Sequence, residues 1–305
     1  MTQPKFESAA EITVNVPLRP MPLTAPRADR LATLYLFHPL QQMLPHNAVC
    51  IPILMYHSIS KGNEEAKHPY YQTTTDPAVF AEQIRFLHEN QYSVIGLGEL
   101  VNRVTERKRS EKFVVITFDD GFRDFYTHAM PVLSRYGFGA TMFLATTYIG
   151  RTTLQFKNRD CLNWSEVREL HRAGIHFGSH TVTHPQLRHT TSEQLEYEIR
   201  QSKSSIEEEI GCEVESFCYP FAFPEESREF VKALREQLQG CGYKNGVCTA
   251  LGTVKPGEDT FFLKRLPINT WDDLRLFKAK LDQGYDWLHW LQYSVKVAKA
   301  RTYER

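Results

Sequence analysis

Along this chain, segments rich in β-branched and aromatic residues alternate with segments whose apolar residues recur every three or four positions. The strand-like segments are residues 48–57, 113–118, 140–146, 176–180, 216–221 and 245–250. Helix signals lie between them, such as the Asp76–Pro77 cap before an apolar face of Phe80, Ile84 and Leu87. This alternation, without an internal repeat, predicts a parallel α/β fold, either an open sheet or a closed barrel.

The segment FVVITFDDGF, residues 113–122, sets two carboxylates side by side at the end of an apolar strand. Asp119 and Asp120 are costly in that position unless their charge is used. In both parallel architectures, ligands bind at the C-terminal ends of the strands, which is where these two residues fall. An aspartate pair after a strand is, by itself, more often a turn or a helix cap.

A second polar cluster, GSHTVTH at residues 178–184, follows another strand-like segment. Its histidines, His180 and His184, are four residues apart and converge on one side of a helical or turn-like segment. Alternatively, both are surface turn residues. Two imidazoles and one carboxylate at successive strand ends form a three-ligand site with open positions, so the two clusters together predict a catalytic divalent metal site. The other aspartate is left to accept a proton from a water molecule.

The composition excludes some classes of function. Thirty-six basic residues balance thirty-six acidic ones, so no overall field favours nucleic acid as a partner. The six cysteines include no CxxC pair, which favours reduced thiols in a cytosolic protein. Residues 1–46 contain several prolines and no continuous apolar core of a signal peptide, so we expect an irregular arm and a cytoplasmic location.

TFDDG at residues 117–121 and SHTVTH at residues 179–184 resemble the two signature motifs of the polysaccharide deacetylases, carbohydrate esterase family 4 with its NodB-like homology domain. The resemblance extends over about residues 50–270. It implies a hydrolase that removes N-acetyl groups from N-acetylglucosamine-type saccharides with one divalent metal ion. That ion is usually Zn²⁺, although one aspartate and two histidines also suit Co, Ni, Mn or Fe.

The same resemblance implies the domain organisation. A single domain, residues 47–270, is expected to form a distorted (β/α) barrel of the polysaccharide deacetylase type. It is flanked by the irregular N-terminal arm at residues 1–46 and by a C-terminal helical extension at residues 271–305.

Position by position, the resemblance also implies roles for the motif residues. Asp119 matches the catalytic base, and Asp120, His180 and His184 match the metal ligands. SFCYPFA at residues 216–222 resembles the third motif of the family, in which the backbone N–H of Phe221 would serve as an oxyanion donor.

The third motif of this chain departs from the family at one position. Cys218 stands where the family has an arginine that holds the base ionised and aligned. The substitute that we predict for this arginine is Arg265 in LKRLPI, from its place near the end of a late strand.

The general acid is predicted from the segment ILMYHSI, residues 53–59. It resembles the opening strand of the biofilm-polysaccharide deacetylases, a subgroup with permuted motif order, in which a histidine after this strand is the acid. His57 matches that position. Alternatively, His57 is a strand-end histidine that is hydrogen-bonded to the backbone.

Three aromatic residues are candidates for substrate binding. Trp164, Tyr219 and Phe221 lie near the motifs, and their rings could stack on a pyranose. Burial in the core is the alternative for each of them. The expected partner is an N-acetylated saccharide whose sugar, linkage and length the sequence does not specify.

Two other functions are compatible with these residues. One is a metal-dependent amidohydrolase that acts on a small non-sugar amide or imide. The other is a catalytically impaired carbohydrate-binding homologue, for which Cys218 is the only supporting feature. A plain esterase that removes O-acetyl groups is a weaker third alternative.

The C-terminal segment from Trp271 onwards has apolar residues at helical spacing, followed by a tryptophan-containing stretch and a basic end. Such a helix could make peripheral contact with a membrane surface. The preferred interpretation is that it packs back on the exterior of the barrel.

Overall fold

The structure is a computed structural model that describes residues 27–43, 50–61, 68–106 and 111–303. Its strands are, in chain order, β1 (Ile53–Tyr56), β2 (Ser58–Ile59), β3 (Thr74–Thr75), β4 (Tyr92–Val94), β5 (Lys112–Phe118), β6 (Thr141–Leu144), β7 (Gln155–Phe156), β8 (Arg159–Asp160), β9 (His176–Ser179), β10 (Ser216–Cys218), β11 (Asn245–Leu251) and β12 (Leu263–Pro267). Its helices are α1 (Ala28–Ala32), α2 (His38–Met43), α3 (Pro77–Glu89), α4 (Leu97–Glu106), α5 (Met130–Arg135), α6 (Trp164–Arg172), α7 (Ser192–Ile210), α8 (Arg228–Gly240), α9 (Leu274–Leu281) and α10 (Trp287–Tyr303).

Seven parallel strands close into a barrel. Their order around it is β1, β5, β6, β9, β10, β11 and β12, and β1 closes the ring because it pairs with both β5 and β12. Leu54 is the residue of β1 that is in register with Ile116 on one side and with Leu266 on the other. The short strand β4 adds to β5 outside the ring. The predicted (β/α) barrel is therefore confirmed.

The two faces of the barrel strands are both apolar, as expected for parallel strands covered by helices. Val115, Phe143 and Cys218 belong to a buried cluster that fills the interior. The residues on the opposite face, such as Leu54, pack under the surrounding helices. A Cβ atom at Gly178 would lie 2.5 Å from the Phe143 ring, so glycine at this position lets Phe143 fill the barrel.

Helices α3 and α6 both begin at side-chain caps. Asp76 caps α3 as predicted, since its side chain accepts from the Ala78 N–H. Asn163 starts α6, since it forms a capping box with Glu166.

The N-terminal arm is helical where it is described. A widened π turn, Thr33–Phe37, joins α1 to α2, and it precedes Pro39, whose ring would clash with the carbonyl four residues earlier in a regular helix. The prediction of an irregular arm is wrong for residues 28–43, because Leu34 is buried and Phe37 stacks on Trp287 with ring centroids 4.4 Å apart. Residues 1–26 and 44–46 of the predicted arm lie outside the described residues.

A buried ionic network ties this helix to the C-terminal segment. Arg27 is paired with Asp29 at 2.6 Å and with Asp272 at 3.2 Å. Asp272 also accepts from Lys280 Nζ at 2.8 Å, and the Tyr285 hydroxyl donates to Asp29 at 2.6 Å. Because removal of one member would leave a buried charge unpaired, this network fixes both chain segments on the barrel.

Helix α10 packs on the exterior of the barrel, as the preferred interpretation predicted. The Gln292 side chain accepts from the Leu251 N–H and donates to the Thr249 carbonyl, both at 3.1 Å. Lys296 Nζ donates to the Phe223 carbonyl at 2.8 Å. Within the described residues, no helix combines the length and the apolar character that crossing a bilayer requires.

Candidate metal centre and active site

Three predicted ligands meet at the C-terminal rim of the barrel. Asp120 follows β5, and His180 and His184 follow β9, two strands further around the ring. The Nε2 atom of His184 lies 3.3 Å from Asp120 Oδ1, and that of His180 lies 3.6 Å from it. All three side chains are buried, and their donor atoms lie close enough to hold one ion.

The donor set suits a divalent cation. Asp120 Oδ1 is buried and accepts no hydrogen bond from the described residues, which leaves it directed at the two imidazoles. His180 Nδ1 donates to the Cys218 carbonyl at 2.9 Å, so its Nε2 is the nitrogen available to a metal. Burial, together with His184, lowers the pKa of His180 to about 4, which keeps the imidazole neutral as a ligand must be.

The aspartate of this set is ionised. Burial alone would raise the pKa of Asp120, but the adjacent His184, His57 and Lys157 lower it below its usual range. Lys157 Nζ donates to Asp120 Oδ2 at 3.0 Å, so the two carboxylate oxygens face different partners.

The loop that carries the two histidines is held by Glu198 of α7. The Glu198 carboxylate accepts from the N–H groups of Val182 and Thr183 at 2.7 and 2.9 Å, and from the Thr183 hydroxyl at 2.6 Å. Sequence analysis missed this residue. A signal was present, because Glu198 lies on the apolar face of α7 beside Leu195 and Ile199, where a glutamate needs a partner.

The predicted base is held from inside the barrel. Asp119 accepts two parallel hydrogen bonds from Arg265 of β12, at 2.7 Å from Nη1 and 2.8 Å from Nη2. Burial alone would raise the pKa of Asp119, but the charge and hydrogen bonds of Arg265 lower it to about 2. Asp119 is therefore ionised at neutral pH, and the residue predicted from position alone does contact it.

Cys218 leaves room for this arginine. Arg265 Nη2 lies 3.1 Å from Cys218 Sγ, so the guanidinium stands beside the position that holds arginine in the third motif of the family. The remaining donors of Arg265 reach the Thr117 hydroxyl at 3.2 Å and the Cys248 carbonyl at 3.1 Å. All five guanidinium N–H groups are thus used, as a fully buried arginine requires.

His57 stands at the mouth of the same site. Its Nε2 atom lies 3.8 Å from Asp119 Oδ2, and 18% of its side chain is exposed. Burial lowers the pKa of His57, although Asp119 and Asp120 partly oppose that effect. His57 therefore lies at the end of its strand as predicted, beside Asp119, and part of its side chain is accessible.

Phe221 also faces the site. Its ring centroid lies 4.6 Å from that of His184, and 45% of the residue is exposed. Its N–H makes no hydrogen bond with the described residues and is available to a ligand.

The other two aromatic candidates do not face the site. Trp164 is 9% exposed and Tyr219 is 2% exposed, and both belong to the hydrophobic core. The prediction that they stack on a sugar is wrong, because their rings pack against neighbouring apolar side chains. Tyr219, for example, packs edge-on against Phe223 with ring centroids 5.1 Å apart.

Backbone strain is concentrated around the site. Of the eight non-glycine residues with positive φ in the described chain, six line or adjoin it. They are Asp120, Lys157, Asn158, Thr181, His184 and Phe221. Such conformations cost about 1–3 kcal/mol each and persist where function requires a fixed geometry. The β7–β8 hairpin that supplies Lys157 and Asn158 was missed by sequence analysis, because its two strands are only two residues long.

A parallel barrel with two histidines, two aspartates and a buried arginine at its C-terminal rim defines a class of metal-dependent hydrolase. A family model described as polysaccharide deacetylase matches residues 106–245. The Bacillus subtilis protein YxkH, whose name describes it as a polysaccharide deacetylase, is 32% identical over 220 residues, 72% of this chain and 71% of YxkH. The poly-β-1,6-N-acetyl-D-glucosamine N-deacetylase of Staphylococcus epidermidis is 25% identical to this chain. The alignment covers 72% of this chain and 74% of that relative.

Solved structures agree in fold. The Streptococcus pyogenes deacetylase PplD, in complex with acetate, superposes with a TM-score of 0.66 at 24% sequence identity. The superposition covers 77% of this chain and 99% of the PplD chain. IcaB from Ammonifex degensii superposes with a TM-score of 0.62 at 19% identity, covering 77% and 97%. The chain belongs to the polysaccharide deacetylase family. The predicted family, fold and enzyme class are therefore confirmed.

Proposed function

We propose that this chain removes N-acetyl groups from N-acetylglucosamine residues of a saccharide, with release of acetate and a free amino sugar. The observation that carries the proposal is the ionised Asp119, which Arg265 holds beside the Asp120, His180 and His184 cluster. The support for the sugar comes from the Staphylococcus epidermidis relative, whose name states that it deacetylates poly-β-1,6-N-acetyl-D-glucosamine.

Each residue of the site has a role in this reaction. Asp120, His180 and His184 would hold the divalent ion, which when bound polarises a carbonyl and lowers the pKa of water. Asp119 accepts the proton of the attacking water, since it is ionised and buried beside the cluster. The Phe221 N–H donates to the developing oxyanion.

His57 completes the reaction in this proposal. Protonated at Nε2, it donates to the departing amine nitrogen, so the carbon–nitrogen bond breaks without an anionic leaving group. The proton that Asp119 accepted and the one that His57 donates balance over the cycle. Arg265 acts through Asp119, as a positioning residue, and does not contact the substrate.

Among divalent metals, we propose zinc. A set of two neutral imidazoles and one carboxylate with open positions is typical of catalytic zinc sites. Co, Ni, Mn and Fe accept the same ligands, so metal content measured on the purified protein decides between them.

The alternative functions gain no support from the comparisons. The relatives reported above are named as deacetylases, and none of them is named as a small-amide hydrolase. The catalytically impaired alternative depended on Cys218, and the contact of Arg265 with Asp119 supplies the missing cation from another strand.

The experiment that tests the proposal measures acetate released from N-acetylglucosamine oligomers. Asp119→Asn should lower the rate about a hundredfold or more while the metal stays bound, because the variant keeps the ligands and loses the base. Full activity in Asp119→Asn would overturn the assigned role.

The boundaries at residues 47–270 and a peripheral membrane contact by α10 stay predictions. Trp290 is 74% exposed on α10, which is the feature that a membrane contact would use. Sedimentation of the protein with anionic lipid vesicles, with Trp290→Ser as the variant, tests that contact.

A further inference from the structure

The loop that follows β10 carries Phe221, whose N–H is the oxyanion donor in the proposed reaction. Phe221 has a φ of 59°, a left-handed conformation that a bulky aromatic residue adopts only where its surroundings impose it. Relaxation to a negative φ would turn the peptide plane that carries this N–H. The direction of the donor therefore depends on the contacts that hold the loop.

Strand β11 holds the loop on both sides of Phe221. On the N-terminal side, the Tyr219 N–H donates to the Val247 carbonyl at 3.0 Å. On the C-terminal side, the Thr249 hydroxyl donates to the Phe221 carbonyl and accepts from the Phe223 N–H, both at 2.9 Å. A hydroxyl can donate and accept at once, so this single side chain fixes two backbone groups of the loop.

Helix α10 holds the far end of the same loop. Lys296 Nζ donates to the Phe223 carbonyl at 2.8 Å and to the Glu225 carboxylate at 2.9 Å. His289, two turns earlier on α10, lies 2.8 Å from the other Glu225 oxygen. Burial alone would raise the pKa of Glu225, but His289 and Lys296 lower it below its usual value, so the carboxylate is ionised.

The same helix also holds the strand that carries Thr249. The Gln292 side chain donates to the Thr249 carbonyl and accepts from the Leu251 N–H, both at 3.1 Å. Gln292 and Lys296 are four residues apart, so they lie on one face of α10. Through these two side chains, α10 joins β11 to the loop that contains Phe221.

We infer that α10 and Thr249 position the oxyanion donor, because they hold residues 219–225 with Phe221 in its left-handed conformation. Lys296 and Thr249 act through Phe221 and are positioning residues. The inference rests on the proposed function and deepens it, since it gives the C-terminal helix a part in the reaction that is otherwise carried by the rim of the barrel.

Two substitutions remove these contacts without adding a charge. Thr249→Val keeps the branched shape of the side chain but loses the hydroxyl, and Thr249→Ser keeps the hydroxyl. Lys296→Met keeps most of the length of the side chain but loses the ammonium group. Lys299→Met is the matched control, because Lys299 is exposed and lies about one turn later on the same helix.

The first measurement is hydrogen–deuterium exchange of the loop amides, followed by mass spectrometry. In Lys296→Met, the protected amides of residues 219–225 should exchange about tenfold faster, because the loss of a charge-assisted hydrogen bond lets the loop open more often. The increase should include the Phe223 N–H, which keeps its own acceptor in this variant. Lys299→Met should exchange like the wild type.

The second measurement is kcat and KM of the zinc-loaded protein, per folded chain, with an N-acetylglucosamine pentamer and with 4-nitrophenyl acetate. Hydrolysis of either substrate develops an oxyanion. Thr249→Val and Lys296→Met should therefore lower kcat on both by about 10- to 100-fold, somewhat less than the loss of a complete oxyanion donor. KM should change little, since the oxyanion is absent from the bound substrate. Thr249→Ser should recover most of the rate.

The outcomes separate this inference from the proposed function. If the wild type hydrolyses the ester but not the pentamer, and the variants lower the ester rate, the positioning role stands and the proposed deacetylation fails. If acetate is released from the pentamer but the variants keep the wild-type kcat and lose only stability, the positioning role is overturned. Unchanged loop exchange in Lys296→Met would overturn the role of α10. If the wild type hydrolyses neither substrate, both proposals are overturned.

Discussion

Arg265 and Asp119 are joined by two parallel hydrogen bonds, 2.7 and 2.8 Å long, inside a barrel where the arginine has no exposed surface. The two residues belong to β12 and to the end of β5, which are separated in the ring only by β1. This geometry fixes the direction of the carboxylate and keeps it ionised, the two properties that a general base requires. Arg265 of β12 thus stands in for the arginine that the family has at the position of Cys218.

The pH dependence of the rate tests this arginine. In the wild type the pKa of Asp119 is about 2, so the base stays ionised throughout the neutral range. In Arg265→Met, the strongest influence that opposes burial is lost and only His180 and His57 still lower the pKa of Asp119. That pKa should therefore rise, so the acidic limb of the pH–rate profile should move to higher pH and activity should recover as pH rises. Arg265→Lys should fall between the two, because lysine keeps the charge but not the paired geometry.

A stability measurement serves as the control for this experiment. Arg265→Met should cost about 3–5 kcal/mol of unfolding free energy, since it leaves a buried carboxylate unpaired. If Arg265 were purely structural, Arg265→Met would lower stability but leave the pH profile of the folded fraction unchanged. That result would contradict the positioning role.

Removal of the proposed acid should depend on the leaving group. His57→Gln should lower acetate release from an N-acetylglucosamine oligomer about a hundredfold, because the amine must be protonated as it departs. The same variant should change hydrolysis of 4-nitrophenyl acetate little, since nitrophenolate leaves without a proton. Equal losses on the amide and on the ester would rule out His57 as the acid.

The loop contact of Glu198 should control metal affinity. Glu198→Gln replaces an acceptor of two backbone N–H groups, so the loop with His180 and His184 should loosen and metal affinity should fall about 10- to 100-fold. Competition with a chromophoric chelator measures this affinity. The matched control is Glu196→Gln, a half-exposed glutamate on the same helix whose ion pair within the described residues is with Arg200. If both variants bind metal like the wild type, Glu198 does not support the site.

The residues that sequence analysis placed correctly are those whose signals are local. Asp120, His180 and His184 each follow a recognisable strand, and the parallel fold brings strand ends to one rim. Asp119 and His57 are beside them for the same reason. These positions needed only a motif and the rule that ligands bind at the C-terminal ends of parallel strands.

Other features depend on contacts that no local pattern encodes. Arg265 contacts Asp119, which is 146 positions away in the sequence. We predicted this residue only because it lies near the end of a strand. Glu198 and the β7–β8 hairpin act through long-range contacts with the histidine loop and the metal centre. Trp164 and Tyr219 were misassigned because an aromatic residue near a motif fills the core as readily as it lines a site.

The N-terminal helix was mispredicted for a different reason. Prolines led to the expectation of an irregular arm, but Pro39 is accommodated within the helix because the turn before it is widened. The same device occurs at Pro131 of α5, which follows the π turn Phe125–Ala129. In this chain, a proline therefore indicates a locally distorted helix rather than a segment without helix.

Metal reconstitution is the most direct test of the whole assignment. Protein stripped with a chelator is titrated with Zn²⁺ while acetate release from an N-acetylglucosamine oligomer is measured, with His180→Ala as the variant that lacks a ligand. The expected result is no turnover without metal, a linear return of activity that saturates at one ion per chain, and no return in His180→Ala. Undiminished turnover by the stripped protein, or equal recovery in His180→Ala, would contradict the role of Asp120, His180 and His184.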